Sequence, residues 1–82
     1  MYELRYDRVI ESVWDSLPQT ARDEFDQALL HACNDPHTAT EPYGVDDGVT
    51  RTLILTHTIA VLLITHAPRK TLRILQITHL PT

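Results

Sequence analysis

The sequence predicts a small α+β domain, a curved antiparallel sheet packed on two N-terminal helices in the order β-α-α-β-β-β. Three observations carry this. Apolar residues recur at helical spacing between residues 9 and 33. Three runs rich in β-branched side chains follow, at residues 49–56, 58–66 and 71–79. The chain has 82 residues, enough for one hydrophobic core, so residues 1–82 are expected to form a single domain.

Residues 2–6 alternate and are rich in aromatic and aliphatic side chains, which suits a short strand. Asp7 is placed as the N-cap of a first helix, in which Val9, Ile10, Val13, Trp14 and Leu17 share one face. Pro18 ends that helix because it lacks an N–H for the ladder, and it can open the next at its first turn. From 19 to 33, Ala21, Phe25, Ala28, Leu29 and Ala32 form an apolar face opposite Arg22, Asp23, Asp26 and Gln27. Asn34-Asp35-Pro36 closes this second helix. Residues 37–48, with Pro42, Gly44 and Gly48, read as a loop. The three C-terminal runs are joined by Thr56-His57-Thr58 and Ala67-Pro68-Arg69-Lys70, short enough for hairpin turns, so they form an antiparallel meander that the first strand is expected to join.

Strand alternation assigns the faces. On the middle strand Ile59, Val61 and Leu63 point one way, and Ala60, Leu62 and Ile64 the other. On the last strand Leu75 and Ile77 oppose Leu72 and Ile74. Both faces are apolar, and two helices can cover only one. The second is therefore expected to meet a partner protein or a second copy of the chain. Leu62, Ile64, Leu72 and Ile74 are the residues expected to be contacted there, by an amphipathic helix or strand.

Charge is divided sharply. Residues 1–47 hold all eleven acids and three arginines, net −8, whereas residues 48–82 hold Arg51, Arg69, Lys70 and Arg73 and no acid, net +4. Such asymmetry points to an acidic partner, either nucleic acid or an acidic protein segment. Other classes are excluded. A single cysteine, Cys33, rules out an internal disulfide framework. The uncharged stretch at residues 52–67 contains four threonines and two histidines and is too short and polar to span a bilayer. Met-Tyr-Glu-Leu-Arg has no apolar signal region, so a cytoplasmic location without membrane association is expected.

Leu17-Pro18-Gln19-Thr20-Ala21-Arg22, then Asp35-Pro36, then Gly48-x-x-Arg51-x-Leu53 entering the sheet, and finally Ile74-Leu75-Gln76-Ile77-Thr78-His79 form an ordered set across nearly the whole chain. This set resembles the RelE/ParE superfamily of bacterial type II toxins. The resemblance implies a small curved sheet on two helices, a cognate antitoxin as partner, and no cofactor. A RelE-like member inhibits translation by cutting mRNA in the ribosomal A site, whereas a ParE-like member acts by binding a protein such as DNA gyrase. Cleavage of RNA needs a group that activates the ribose 2′-hydroxyl and cations that stabilise the pentavalent phosphate.

Carried over by position, Arg51 matches the basic residue of the first meander strand and His79 the basic or histidine position near the end of the last; these are the candidate catalytic residues. Arg69, Lys70 and Arg73 are the candidate RNA-binding cluster. Where the family commonly has an arginine within the middle strand, this chain has Ala60 or a neighbouring aliphatic residue, which favours a non-enzymatic, protein-binding alternative. Among the other residues, His57 and His66 are expected to be solvated near turns, and His57, His66 and His79 are too dispersed for a metal signature. Cys33 is read as a packed small residue, Trp14 and Phe25 as core, Tyr43 as covering the sheet edge, and Asp46-Asp47 as a turn.

Overall fold

The computed structural model describes residues 1–44 and 47–81; Asp46, one of the two turn acids, lies outside them. The chain is α+β. Its elements run β1 (Glu3–Arg5), α1 (Arg8–Asp15), α2 (Gln19–Asn34), α3 (Pro36–Ala39), β2 (Glu41–Pro42), β3 (Thr50–Ile54), β4 (Thr58–Thr65) and β5 (Thr71–His79). One five-stranded sheet has the order β1-β5-β4-β3-β2. The meander β3-β4-β5 is antiparallel, as its short turns require, and β1 joins it in parallel beside β5. The segment read as a loop contains two further elements. Pro36 fits the first turn of α3, where its missing N–H costs nothing, and Pro42 sits in the two-residue edge strand β2.

Capping follows the sequence. The Asp7 carboxylate accepts from the Ile10 N–H at 2.9 Å and starts α1. Pro18 precedes α2 with φ −56°, and the buried Leu17 beside it pins the junction to the core. The core is formed between α2 (Ala21, Phe25, Leu29, Ala32, Cys33), Ile10 and Leu17, and the inner face of the sheet. Trp14 packs edge-on against Phe25, with ring centroids 5.4 Å apart, and its Nε1–H donates to Asp26 at 2.8 Å.

This packing corrects the expected faces. Leu62, Ile64 and Leu72 are 0% exposed and Ile74 is 2% exposed, because theirs is the face the helices cover. They are core and not a partner-binding surface. The open face carries Ile59, Val61 and Leu63, half-buried by their neighbours, together with exposed Ile54 and Leu75. The parity of β5 also changes. Val61 pairs with Gln76 but Leu62 with Ile74, so Leu75 is the extra residue of a β-bulge. Beyond the bulge Ile77 returns to the core face alongside Leu72 and Ile74, rather than opposing them.

Glu24 ties α2 to the β3–β4 turn by accepting from the His57 N–H at 3.1 Å and the Thr56 N–H at 3.3 Å. Partial desolvation pushes its carboxyl up, but these backbone donors outweigh it and leave the group below the ordinary glutamate value. A carboxyl depressed on folding contributes stability above its unfolded value, and that contribution is lost as pH falls through the folded value. Glu24→Gln is therefore expected to reduce the urea midpoint at neutral pH and to flatten its fall below about pH 4. In the core, Phe25→Ala is expected to cost about 3–5 kcal/mol, read from urea denaturation at neutral pH.

Candidate functional site

Arg51 lies on β3 with the parity of Leu53, so its side chain points to the inner face and is only 7% exposed. Its Nε–H donates to Thr40 Oγ1 at 3.0 Å, and Nη2 donates to the Thr40 carbonyl at 2.7 Å and the His37 carbonyl at 3.2 Å. Thr40 itself is buried and donates to the Pro36 carbonyl. Arg51 thus fastens the C-terminal end of α3 beneath the sheet. It is not presented to a phosphate, contrary to its expected catalytic role. A guanidinium fits here because it stays charged and its planar fork reaches several carbonyls at once.

His79 pairs with Thr58 at one end of the β4–β5 hairpin, whereas Arg69 and Lys70 occupy the turn at the other. The eight residue steps from Thr71 to His79 span roughly 26 Å. The structure therefore does not bring His79 together with Arg51 or with the basic turn. Arg73 pairs with Leu63 and with Arg5, which places it on the open face, where Arg5 is held by Glu3 at 2.9 Å.

What the fold does gather is a set of side chains around the end of β4. The Tyr2 hydroxyl and His66 Nδ1 share a hydrogen bond of 2.7 Å, their rings meeting edge to face with centroids 5.6 Å apart. His37, leading α3 after Pro36, stacks on His66 with centroids 5.6 Å apart and rings 12° from parallel. Its Nε2–H donates to the Gly48 carbonyl at 3.0 Å, which fixes the tautomer and leaves a lone pair on Nδ1 whenever the ring is neutral. Lys70 Nζ lies 5.9 Å from the centroid of the Tyr2 ring, a cation–π contact. His37, His66, Arg69 and Lys70 are exposed and Tyr2 is half-buried.

Each member is positioned by backbone structure. Tyr2 is aligned by its N–H to the Cys33 carbonyl at 2.8 Å and by the adjacent Glu3 N–H to the Lys70 carbonyl at 2.9 Å. His66 follows Ile64 with core parity, so its ring emerges on the helix side of the sheet. Asp47 shapes the loop opposite His37, accepting from the Thr50 N–H at 2.7 Å and the Val49 N–H at 2.9 Å. These two donors hold its carboxyl below the usual aspartate value. The arrangement offers two imidazoles, the groups suited to take and give protons near neutral pH, beside two cations suited to a phosphate.

Sequence reasoning set His66 aside as a solvated turn residue and placed His37 in a loop without assigning it a role. Spacing gives no signal for their meeting, since Tyr2 and His66 are 64 positions apart. The one available clue is parity, which puts His66 on the side of Leu62 and Ile64. Burial raises the Cys33 thiol, in keeping with a packed residue rather than a nucleophile. Among the described residues no group of three or more His, Cys, Asp or Glu is placed to hold a metal ion, and no helix is long and apolar enough to cross a membrane.

No protein-family model matches the chain, and neither a curated protein nor a solved structure is significantly similar to it.

Arg51→Ala leaves the Thr40 and His37 carbonyls without their charged donor and is expected to destabilise the fold by about 2–4 kcal/mol in urea denaturation. Because the anchor of α3 is lost with it, amide exchange at Ala39 and Thr40, whose N–H groups donate to the Asp35 and Pro36 carbonyls, should accelerate more than in β4.

Proposed function

We propose that this chain is the toxin component of a bacterial type II toxin–antitoxin pair, RelE-like, which inhibits translation by cleaving mRNA on the ribosome. The observation that carries the reading is the gathering of exposed His37, His66 and Lys70 around half-buried Tyr2 at one end of the sheet, with Arg69 next to Lys70 in the adjoining turn. Acid–base groups lie there beside fixed positive charge: His66, Arg69 and Lys70 come from the half of the chain that holds no acid, and Tyr2 and His37 from the acidic half. RNA is a substrate to which such a site is suited, because its 2′-hydroxyl supplies the nucleophile and its phosphates supply the charge. The working location is the bacterial cytoplasm and the partner in the resting state is a cognate antitoxin. The ordered motifs from Leu17-Pro18 to His79 and the α+β frame are in keeping with this assignment.

A specific observation favours a second reading, a non-enzymatic ParE-like or degenerate toxin that acts by binding a protein such as gyrase. The open sheet face exposes Ile54 and Leu75 beside Ile59, Val61 and Leu63. A groove of about 660 Å³ between β1 and α2 adds Met1 and Leu30, which are 79% and 57% exposed. Apolar surface of this kind suits a protein target better than RNA.

Tightly controlled expression in a bacterial host separates the two. Growth arrest with new mRNA 5′ ends inside coding regions is the expected result. Arrest with intact mRNA that is relieved by Leu75→Glu would instead establish the protein-binding reading. Reversing both charges of the basic turn, Arg69→Glu with Lys70→Glu, is expected to weaken ribosome binding by about tenfold or more at low salt and to reduce its salt dependence.

A further inference from the structure

We propose that His37 and His66 are the acid–base pair of an RNA phosphodiester transesterification, with Tyr2 positioning His66 and with Lys70 and Arg69 holding the phosphate; this rests on the RNA-directed reading above. The pair comes from two elements, α3 and the end of β4, that nothing local would bring together. Both rings are exposed, so a phosphodiester can approach them, and each has one nitrogen engaged and one available. His37 gives its Nε2–H to the Gly48 carbonyl and keeps Nδ1 for substrate. His66 uses Nδ1 toward Tyr2 and keeps Nε2. An imidazole held by its second nitrogen is oriented as a base or acid must be.

The working form has one ring neutral and the other imidazolium. The two rings stack with centroids 5.6 Å apart. Lys70 stands over Tyr2 on one side, and Arg51 bonds the His37 carbonyl beneath. Tyr2 contributes a neutral hydroxyl, which can accept from a protonated His66 Nδ1–H as readily as it donates to the neutral ring.

In the step proposed, neutral His37 Nδ1 takes the proton of the ribose 2′-hydroxyl. The 2′-oxygen forms a bond to phosphorus and the bond from phosphorus to the 5′-oxygen breaks. The leaving 5′-oxygen keeps that electron pair and takes the proton from His66 Nε2–H. The products are a 2′,3′-cyclic phosphate and a 5′-hydroxyl end, with the proton now on His37 and His66 neutral. Exchange with water restores the starting state, and no oxidant or reductant is required. Charge on the non-bridging oxygens is met by the Lys70 ammonium and the Arg69 guanidinium of the adjoining turn.

The test uses purified full-length chain on mRNA-programmed ribosomes and, in parallel, a ribosome-free oligouridylate, with product ends identified. The expected result is 2′,3′-cyclic phosphate ends, a bell-shaped dependence of rate on pH, and a loss of about 100-fold or more in each of His37→Gln and His66→Gln. Thermal midpoint and ribosome co-sedimentation of each variant show whether it is folded. His66→Ala, partly restored by added imidazole, separates lost chemistry from lost structure. Tyr2→Phe is expected to displace the pH limb that His66 provides, which a purely structural tyrosine would not do.

If wild type cuts on ribosomes and both histidine variants cut within about threefold of it, the acid–base assignment falls while the toxin reading stands. If oligouridylate is cut in a His37- and His66-dependent way but ribosomal mRNA is not, the assignment stands and the ribosome-dependent reading falls. If wild type cuts neither, both are overturned.

Discussion

The Arg51 guanidinium is the fixed point on which the functional end of the molecule depends. It sits on the inner face of β3, almost out of solvent, and its donors hold the carbonyls of Thr40 and His37. A four-residue helix has too few internal hydrogen bonds to hold its place alone. α3 is held because Arg51 binds its C-terminal carbonyl region from below and because Thr40 returns a bond to Pro36. His37, one residue inside α3, is thereby set at a definite height over the end of β4. A buried charge of this kind is costly to create and costly to unpair. It also fixes residues 37–40 as a platform.

Two further constraints complete that platform. The parallel pairing of β1 with β5 brings the N-terminus to the end of the sheet where β4 finishes, so Tyr2 arrives beside His66. The Asp47 turn directs the Gly48 carbonyl toward His37. The short helix α3 therefore supplies His37, the residue before β1 is Tyr2, and the β4–β5 turn supplies His66, Arg69 and Lys70. Sites assembled in this way are positioned by the sheet frame even though several members stand on turns.

The bulge at Leu75 has a separate consequence. By returning Ile77 to the inner face it extends the core toward the β3–β4 turn, where Glu24 fastens α2 to the sheet. It also leaves Leu75 on the outside, next to the half-buried aliphatic residues of β4. The two surfaces of the sheet consequently differ in kind. One is a sealed core with a polar cluster at its end, and the other is an open apolar face bordered by Arg5 and Arg73.

Much of the frame is legible in the local sequence. Helical spacing from Val9 to Cys33, the Asp7 cap, the break at Pro18 and the three β-branched runs are all encoded within a few residues, so the α+β class and the antiparallel meander follow from periodicity and turn chemistry. The separation of acidic and basic halves is likewise a property of the sequence. What only the tertiary structure decided is which apolar face the helices take. Both are apolar, and a period of two cannot say which is covered, so Leu62, Ile64, Leu72 and Ile74 read as a surface in the sequence and are core in the structure. Arg51 was half legible, since its parity with Leu53 marks the inner face, but its acceptors on α3 belong to a segment without periodicity. The meeting of Tyr2, His37 and His66 had no local signal at all. It arises from strand order and register, which depend on contacts between residues tens of positions apart, and local spacing carries no record of those.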